Sequence, residues 1–351
     1  MPPTRLALIG LSASAKTAWA AEAHLPYLLS PHGRSHYTLT ALLNSSTAAA
    51  EAAKCHFNLP ASVKAYGDPV LLAQDEDIDL VVCCTRVDTH AATIEPAIRA
   101  GKTVLVEWPI AENVARAASL GAAAEESGVE VLVGLQTRFN PIVLKLKEML
   151  TAGDIGRVLS SEVLARTTRL PRDAVPEGLA YFAERRVGGN PMTIAYAHTI
   201  DYVHDVLGEF DGFDARLQVQ RPEMGLFDAG GVVKGSVVSD VPDFVAVHGK
   251  LAKGRAEIAE DATLAVRLRT GQPFKGDPGF VWTINGEKGE IKVTSPLGPY
   301  LQLDLGDEPI RIELNDFAKD EVVEVEWDWK EWQKKLPVPA RMMGELYEVY
   351  A

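Results

Sequence analysis

Cysteine is scarce in this chain: its 351 residues include three, Cys55 and the adjacent pair Cys83 and Cys84. An odd count without ligand-like spacing excludes a disulfide framework and argues against a zinc or other metal site. It points to a reducing, cytoplasmic setting. Positive charge is also short, with 35 Lys and Arg against 48 Asp and Glu and a net charge of −13. Nucleic acid and anionic membrane surfaces are therefore excluded as partners, because phosphate-rich surfaces need clustered basic residues. A small anion is still allowed, since backbone N–H groups can hold one locally. No apolar run approaches the length of a membrane span. The opening "MPPTRLALIGLSASAK" is broken by Gly and Ser too early for a signal peptide. Internal repeats and long low-complexity stretches are missing too. What is abundant is apolar material, 47% of the residues, and the length suits two domains.

The first part alternates apolar runs with helical stretches. "RLALIGL", "YTLTALLN", "DLVVCCT", "KTVLVEW" and "VEVLVGLQ" read as strands buried on both faces. Between them lie a helix from about Ala15 to Leu29, "STAAAEAAKCHF", "THAATIEPAIRAG" and "ENVARAASLGAAAEESG". This predicts an α/β domain with a parallel sheet over residues 1–140. After "NPIVLKLKEMLTAGDIG" the pattern turns strand-rich, from "RVLSSEVLART" through "FDARLQVQR", "GVVKGSVVSDV", "DFVAVHGKL", "RAEIAED", "FVWTINGEKGEIKVTS", "YLQLDLGD", "PIRIELND" and "EVVEVEWD". Residues 141–351 are thus expected to form an α+β domain with one open, mainly antiparallel sheet. A helix from about Pro191 to Leu207 interrupts its strands.

The turn after the first strand carries the cofactor reading. In "IGLSASAK", Gly10, Ser12 and Ala15 occupy the three spaced positions of the dinucleotide fingerprint Gly-x-Gly-x-x-Gly. The first needs glycine for the turn, the second a small residue for phosphate approach, the third a small residue for helix–strand packing. Free N–H groups at the helix start would face a diphosphate. Ala13 leaves the loop uncrowded, and Ser12 and Ser14 add hydroxyls. A Ser-capped helix in any α/β protein would look similar. The second strand ends at Asn44, Ser45 and Ser46, where an NAD site usually has an acidic residue for the ribose hydroxyls. A carboxylate there would repel a 2′-phosphate and neutral donors would accept it, which favours NADP while leaving NAD open. Thr85, Arg86 and His90 follow the third long strand, at the sheet edge where ligands sit in such folds. His90 could equally pack against a loop.

Together these segments resemble the glucose–fructose oxidoreductase/inositol dehydrogenase (Gfo/Idh/MocA) family. "IGLSASA", "TRVDTHAATIEPAIRAGKTVLVEWP", "LVGLQTRFNPIVLKLKEMLTAGDIG" and "GGNPMTIAYAHTIDYVHDVLG" carry the likeness over nearly the whole chain. "VEW" and "HTID" further resemble a fungal branch typified by the yeast galactose-pathway repressor. The resemblance implies a Rossmann domain followed by an open antiparallel sheet, and a homodimer or larger homo-oligomer made through that sheet. It also implies a strand end Glu-Lys-Pro and an Asp-x-x-x-His motif at the substrate. Here the strand end is Glu107, Trp108 and Pro109, so the lysine position is Trp108. His198 takes the histidine position and Ile194 the aspartate position. An indole N–H donates a hydrogen bond but exchanges no proton near neutral pH, so Trp108 stacks on a ligand, shapes a pocket or packs a seam. His198 is the remaining acid/base candidate, unless it is a buried histidine bonded to Asp201 one turn on. Pro109 is expected in cis. Glu107, Gln136 and Arg138 are expected near the cofactor, and Tyr181 in the loop where relatives bind substrate.

Three activities follow from this resemblance. The first is an NADP(H)-dependent oxidoreductase acting on a polyol, sugar or ketone. The second is a non-catalytic dinucleotide-binding regulator with a protein partner. The third is a non-redox, isomerase-like enzyme on the same fold.

Overall fold

The computed structural model describes residues 2–15, 17–169, 171–254, 256–301 and 309–351. The chain forms two compact units. The first comprises residues 1–136, 186–189 and 330–351, the second residues 137–185 and 190–329.

In the first unit, β1 (Thr4–Ile9), α1 (Leu25–Leu29), α2 (Pro31–His36), β2 (Tyr37–Leu43), α3 (Thr47–His56), β3 (Lys64–Tyr66) and α4 (Pro69–Ala73) are followed by β4 (Leu80–Cys83), α5 (Val87–Arg99), β5 (Thr103–Glu107), α6 (Val114–Ser127) and β6 (Val131–Gly134). All six strands are parallel, in the order β3-β2-β1-β4-β5-β6. This is the doubly wound order in which ligands gather beyond the carboxyl ends of the strands. Every residue of β4 is buried, as is all of β5 after Thr103. That explains the unbroken apolar runs, since helices must cover both faces of a parallel sheet. Ser46 and Asn113 accept from Ala49 N and Arg116 N and so cap α3 and α6, and Gly128 ends α6 in the left-handed region. Strand β3 was not expected: three residues are too few to show a period.

The second unit contains α7 (Pro141–Ala152), β7 (Val158–Thr167), β8 (Ala174–Pro176), α8 (Ala197–Leu207), β9 (Phe210–Gln218), β10 (Glu223–Phe227), β11 (Val233–Val238), β12 (Phe244–Leu251), β13 (Ile258–Thr270), β14 (Phe280–Gly286), β15 (Gly289–Ser295), β16 (Arg311–Asp316) and β17 (Glu321–Val325). Eight strands form one sheet, β17-β16-β15-β14-β7-β13-β12-β9, antiparallel except where β7 and β13 run parallel. Its buried face, with Val163, Val247, Leu264, Leu268, Trp282 and Ile291, forms one core with α7 and α8. The alternation of β14 between buried and half-buried residues is what the sequence period expressed. Trp282 is fully buried and its indole N–H donates to Ser161 Oγ at 2.9 Å.

Three expectations change here. "GVVKGSVVSDV" does not join the large sheet; β11 pairs with β10 in a separate three-stranded sheet completed by β8. Period alone says nothing of which partner a strand takes. "RAEIAED" is not a strand of its own but leads into the thirteen-residue β13. The strand expected at "YLQLDLGD" lies almost wholly outside the described residues. The last helix, α9 (Val338–Tyr350), belongs to the first unit, so a division at residue 140 assigns it to the wrong half. Its buried Met343, Gly344 and Tyr347 pack where Tyr27 and Tyr37 offer an aromatic wall, Tyr27 stacking on Tyr347 at 5.3 Å.

Candidate functional site

The residues after β1 form a tight turn around Gly10. Its φ is +92°, and a Cβ there would lie 2.7 Å from the carbonyl oxygen of Cys84 on the neighbouring strand. Only glycine fits both demands. Gly10 N donates to Leu43 O at 3.1 Å, which ties the loop to the end of β2. Ser14 N donates to Ser12 Oγ, and the two hydroxyls lie 3.1 Å apart. The N–H groups of Ser12 and Ala13 have no acceptor among the described residues, as a diphosphate cradle requires. The helix starts later than expected. Ala18 O accepts from both Ala21 N and Glu22 N, a π turn spans Ala20–His24, and α1 follows. Ala15 therefore sits in the loop and not on the helix, because the bond pattern that starts the helix begins at Ala18.

At the end of β2, Asn44 Nδ2 donates to Leu11 O at 2.9 Å. Asn44 is thus a brace between the two loops, and its amide N–H is not kept for a 2′-phosphate. Ser46 caps α3, leaving Ser45 exposed and, among the described residues, without a hydrogen bond of its side chain. No carboxylate follows β2 within this turn.

Beyond β4, Arg86 is the N-cap residue of α5 and its guanidinium holds Asp88 through two bonds of 2.6 and 2.7 Å. Thr85 Oγ1 accepts from Thr89 Oγ1. His90 is buried, with Nδ1 2.9 Å from Pro109 O and Nε2 2.9 Å from Thr85 O. Both ring nitrogens are used, so His90 is a strap between the ends of β4 and β5 and not a cofactor ligand. The Trp108–Pro109 bond is cis.

Glu107 has a different partner from the one expected. Its Oε1 lies 2.8 Å from Nε2 of the fully buried His24, whose Nδ1 lies 2.8 Å from the Tyr347 hydroxyl. Gly134 makes room for it: a Cβ there would fall 2.7 Å from the carboxylate. Cys84 Sγ joins His24 and Glu107 in a set of donor atoms within 4.8 Å of one another. Both His24 nitrogens are engaged within the protein, so the set is closed by its own hydrogen bonds. Burial first, then Glu107, push the Cys84 thiol well above its ordinary value, and burial does the same to the Tyr347 phenol. Both therefore stay protonated at neutral pH. Glu107 thus anchors the strand end carrying Trp108, which is half-buried.

Gln136 ends the first unit. It is 1% exposed, and its Oε1 has no partner among the described residues; the buried indole N–H of Trp19, just before the π turn, has none either. The open loop amides fit the diphosphate of a dinucleotide.

In the second unit a π turn, Met192–Tyr196, leads into α8 with His198 buried in its first turn. Asn190 Oδ1 accepts from Met192 N and Thr193 N and caps the π turn. Asp201 is occupied by Arg138, whose Nε donates to both carboxylate oxygens at 2.9 and 3.1 Å. Asp201 thus serves Arg138, whose side chain remains 44% exposed. Tyr181 is half-buried on a 3-10 turn beside Phe182. The strand ends of the first unit therefore bring together Gly10 to Ala15, Asn44 to Ser46, Thr85, Arg86, Glu107, Trp108 and Gln136. His198, Tyr181 and Arg138 stand on the second unit.

Comparison with known proteins agrees with this geometry. Residues 4–135 match the oxidoreductase family with an NAD-binding Rossmann fold, Gfo/Idh/MocA, and residues 141–295 match the Gal80p C-terminal domain family. Dehydrogenase aclE of Aspergillus oryzae is 35% identical over 298 residues, spanning 83% of this chain and 77% of that protein. This chain belongs to the Gfo/Idh/MocA family. Within the family it is also 27% identical to the galactose/lactose metabolism regulatory protein GAL80 of Saccharomyces cerevisiae over 305 residues, 84% of this chain and 68% of the regulator. The fold is shared with a solved super-repressor mutant of Gal80p from the same yeast. The TM-score is 0.85 at 23% identity, with 100% of this chain and 86% of that one covered.

Sequence reasoning missed Trp19, His24 and Tyr347. Nothing local marks them: His24 and Glu107 are 83 residues apart and Tyr347 is 323 residues from His24.

Proposed function

We propose that this Gfo/Idh/MocA protein is an NADP(H)-dependent oxidoreductase acting on a polyol, sugar or ketone. The observation that carries the reading is the loop around Gly10, with its open amides, in a chain 35% identical to a named dehydrogenase. The bound nicotinamide supplies the hydride chemistry. Amides of Ser12 and Ala13 hold the diphosphate. Ser45, in a turn without a carboxylate, receives the 2′-phosphate. Trp108 orients a planar group, His198 exchanges the substrate proton, and Tyr181 contributes from the substrate side. We also assign self-association to the large sheet, where β9 leaves Phe213 62% and Leu217 51% exposed.

The test is NADPH oxidation against a panel of sugars and ketones. Turnover should fall about 10²–10⁴-fold in His198→Asn. A second reading, a nucleotide-binding regulator, is supported by the match of residues 141–295 to the Gal80p C-terminal domain family and by Trp108 and Ile194 at the lysine and aspartate positions. Tight NADP binding without turnover on any substrate would favour it.

A further inference from the structure

Strand β9 ends the eight-stranded sheet and pairs on one side only, with β12. Among the described residues its other backbone edge takes no hydrogen bond. Every residue of β9 after Phe210 is exposed. A long open edge is a template for another strand. The opposite edge of the sheet is blunted: β17 is five residues long and carries Glu321 and Glu324. By contrast, β9 has nine residues and no proline.

The side chains of β9 sort by face. Phe213, Ala215 and Leu217 stand opposite Gly249, Val247 and Val245 of β12. Val245 and Val247 belong to the core, so the apolar row of β9 prolongs the core face. Nevertheless Phe213 and Leu217 are 62% and 51% exposed. Asp214 and Arg216 point to the other face, and neither has an ion-pair partner among the described residues.

When a strand pairs antiparallel with its own copy, a two-fold axis fixes every cross-strand pair. With the axis at Ala215, Phe213 meets the second copy's Leu217 and Asp214 meets its Arg216, each pair occurring twice. Moving the axis by one residue sets Asp214 against Asp214 or Arg216 against Arg216, and like charges directly opposite are destabilising. Moving it by two leaves both charges without an opposite partner. The same charges deter an arbitrary strand, so this edge selects its own copy.

We propose that β9 pairs antiparallel with β9 of a second copy about Ala215, joining two eight-stranded sheets edge to edge in a closed dimer. This pairing specifies the self-association assigned above to the large sheet and rests on it.

Sedimentation of the full chain and cysteine cross-linking test the pairing. Arg216→Asp sets carboxylates against one another across the axis and should weaken dimerisation by about tenfold or more. Exchanging the two charges, Asp214→Arg with Arg216→Asp, keeps both opposite-charge pairs and should restore dimerisation to within about threefold. Cys55 is exposed, so cross-linking uses a Cys55→Ser background. There Ala215→Cys should give a dimer linked by a short bismaleimide. The background alone should give none, nor should Thr283→Cys on the face of β14 turned away from the core. Cross-linking through Thr283→Cys with Ala215→Cys silent would mean association through the face of the sheet. That would overturn the edge pairing and leave self-association standing. A dimer indifferent to Arg216→Asp, or one that the charge exchange fails to restore, would also overturn the pairing. A chain that sediments as a monomer at every concentration would overturn both.

Discussion

Nε2 of His24 stands 2.8 Å from Oε1 of Glu107, with His24 fully buried and Glu107 8% exposed. Replacing His24 by Ala strands a buried carboxylate, at a cost of about 3 kcal/mol in unfolding free energy. Tyr347→Phe removes only the hydroxyl bonded to His24 and should cost about 1 kcal/mol. Urea unfolding of the two variants measures both. Equal losses would show that the carboxylate does not depend on the imidazole.

Gly10 and Gly101 separate conformational cost from steric cost. Both have positive φ, +92° and +80°, but a Cβ at Gly101 meets nothing within 4 Å. Gly101→Ala should cost about 1 kcal/mol. Gly10→Ala adds a clash with the Cys84 carbonyl, so a total of about 3 kcal/mol and a nucleotide affinity at least tenfold lower are expected. Parallel thermal unfolding and fluorescence titration with NADPH check both numbers.

Ser45→Asp places a carboxylate where the turn after β2 has none. Like-charge repulsion should weaken NADP binding at least tenfold, about 1.4 kcal/mol, and leave NAD within about twofold. Equal loss for both nucleotides would remove Ser45 from the 2′-phosphate site.

His204 sets a pH dependence. Burial lowers its pKa below the ordinary 6.5, and its ring lies edge-on to Phe210 at 5.1 Å. The folded state therefore binds this proton less readily than the unfolded chain. Stability is fully present above about pH 6.5 and is lost as pH falls toward the lowered folded value. His204→Phe should flatten that limb of the curve below about pH 6.5, measured as the urea midpoint at each pH.

The parallel sheet was legible because each of its long strands is a closed apolar run, and the large sheet because β14 and β15 alternate around "NGEKG". Partner choice was not legible: β11 alternates as its neighbours do and joins a different sheet. At the site, Gly10 was readable from chemistry, since a turn followed by small residues has few other uses. The partners of His90 and Arg138 were not legible for one physical reason. A polar side chain near a strand end serves a ligand or the protein according to what faces it. His90 faces two carbonyls and Arg138 faces Asp201, neither adjacent in sequence.

Helix α9 has a consequence for synthesis on the ribosome. Tyr37 donates to the carbonyl of Tyr347 at 2.6 Å, and Tyr347 is made after every described strand. The nucleotide-binding unit is translated first yet cannot complete its aromatic core until the final helix emerges. A premature stop before Val338 should therefore leave the earliest-made half incompletely folded and sensitive to proteolysis, while the later-made sheet retains all of its own strands.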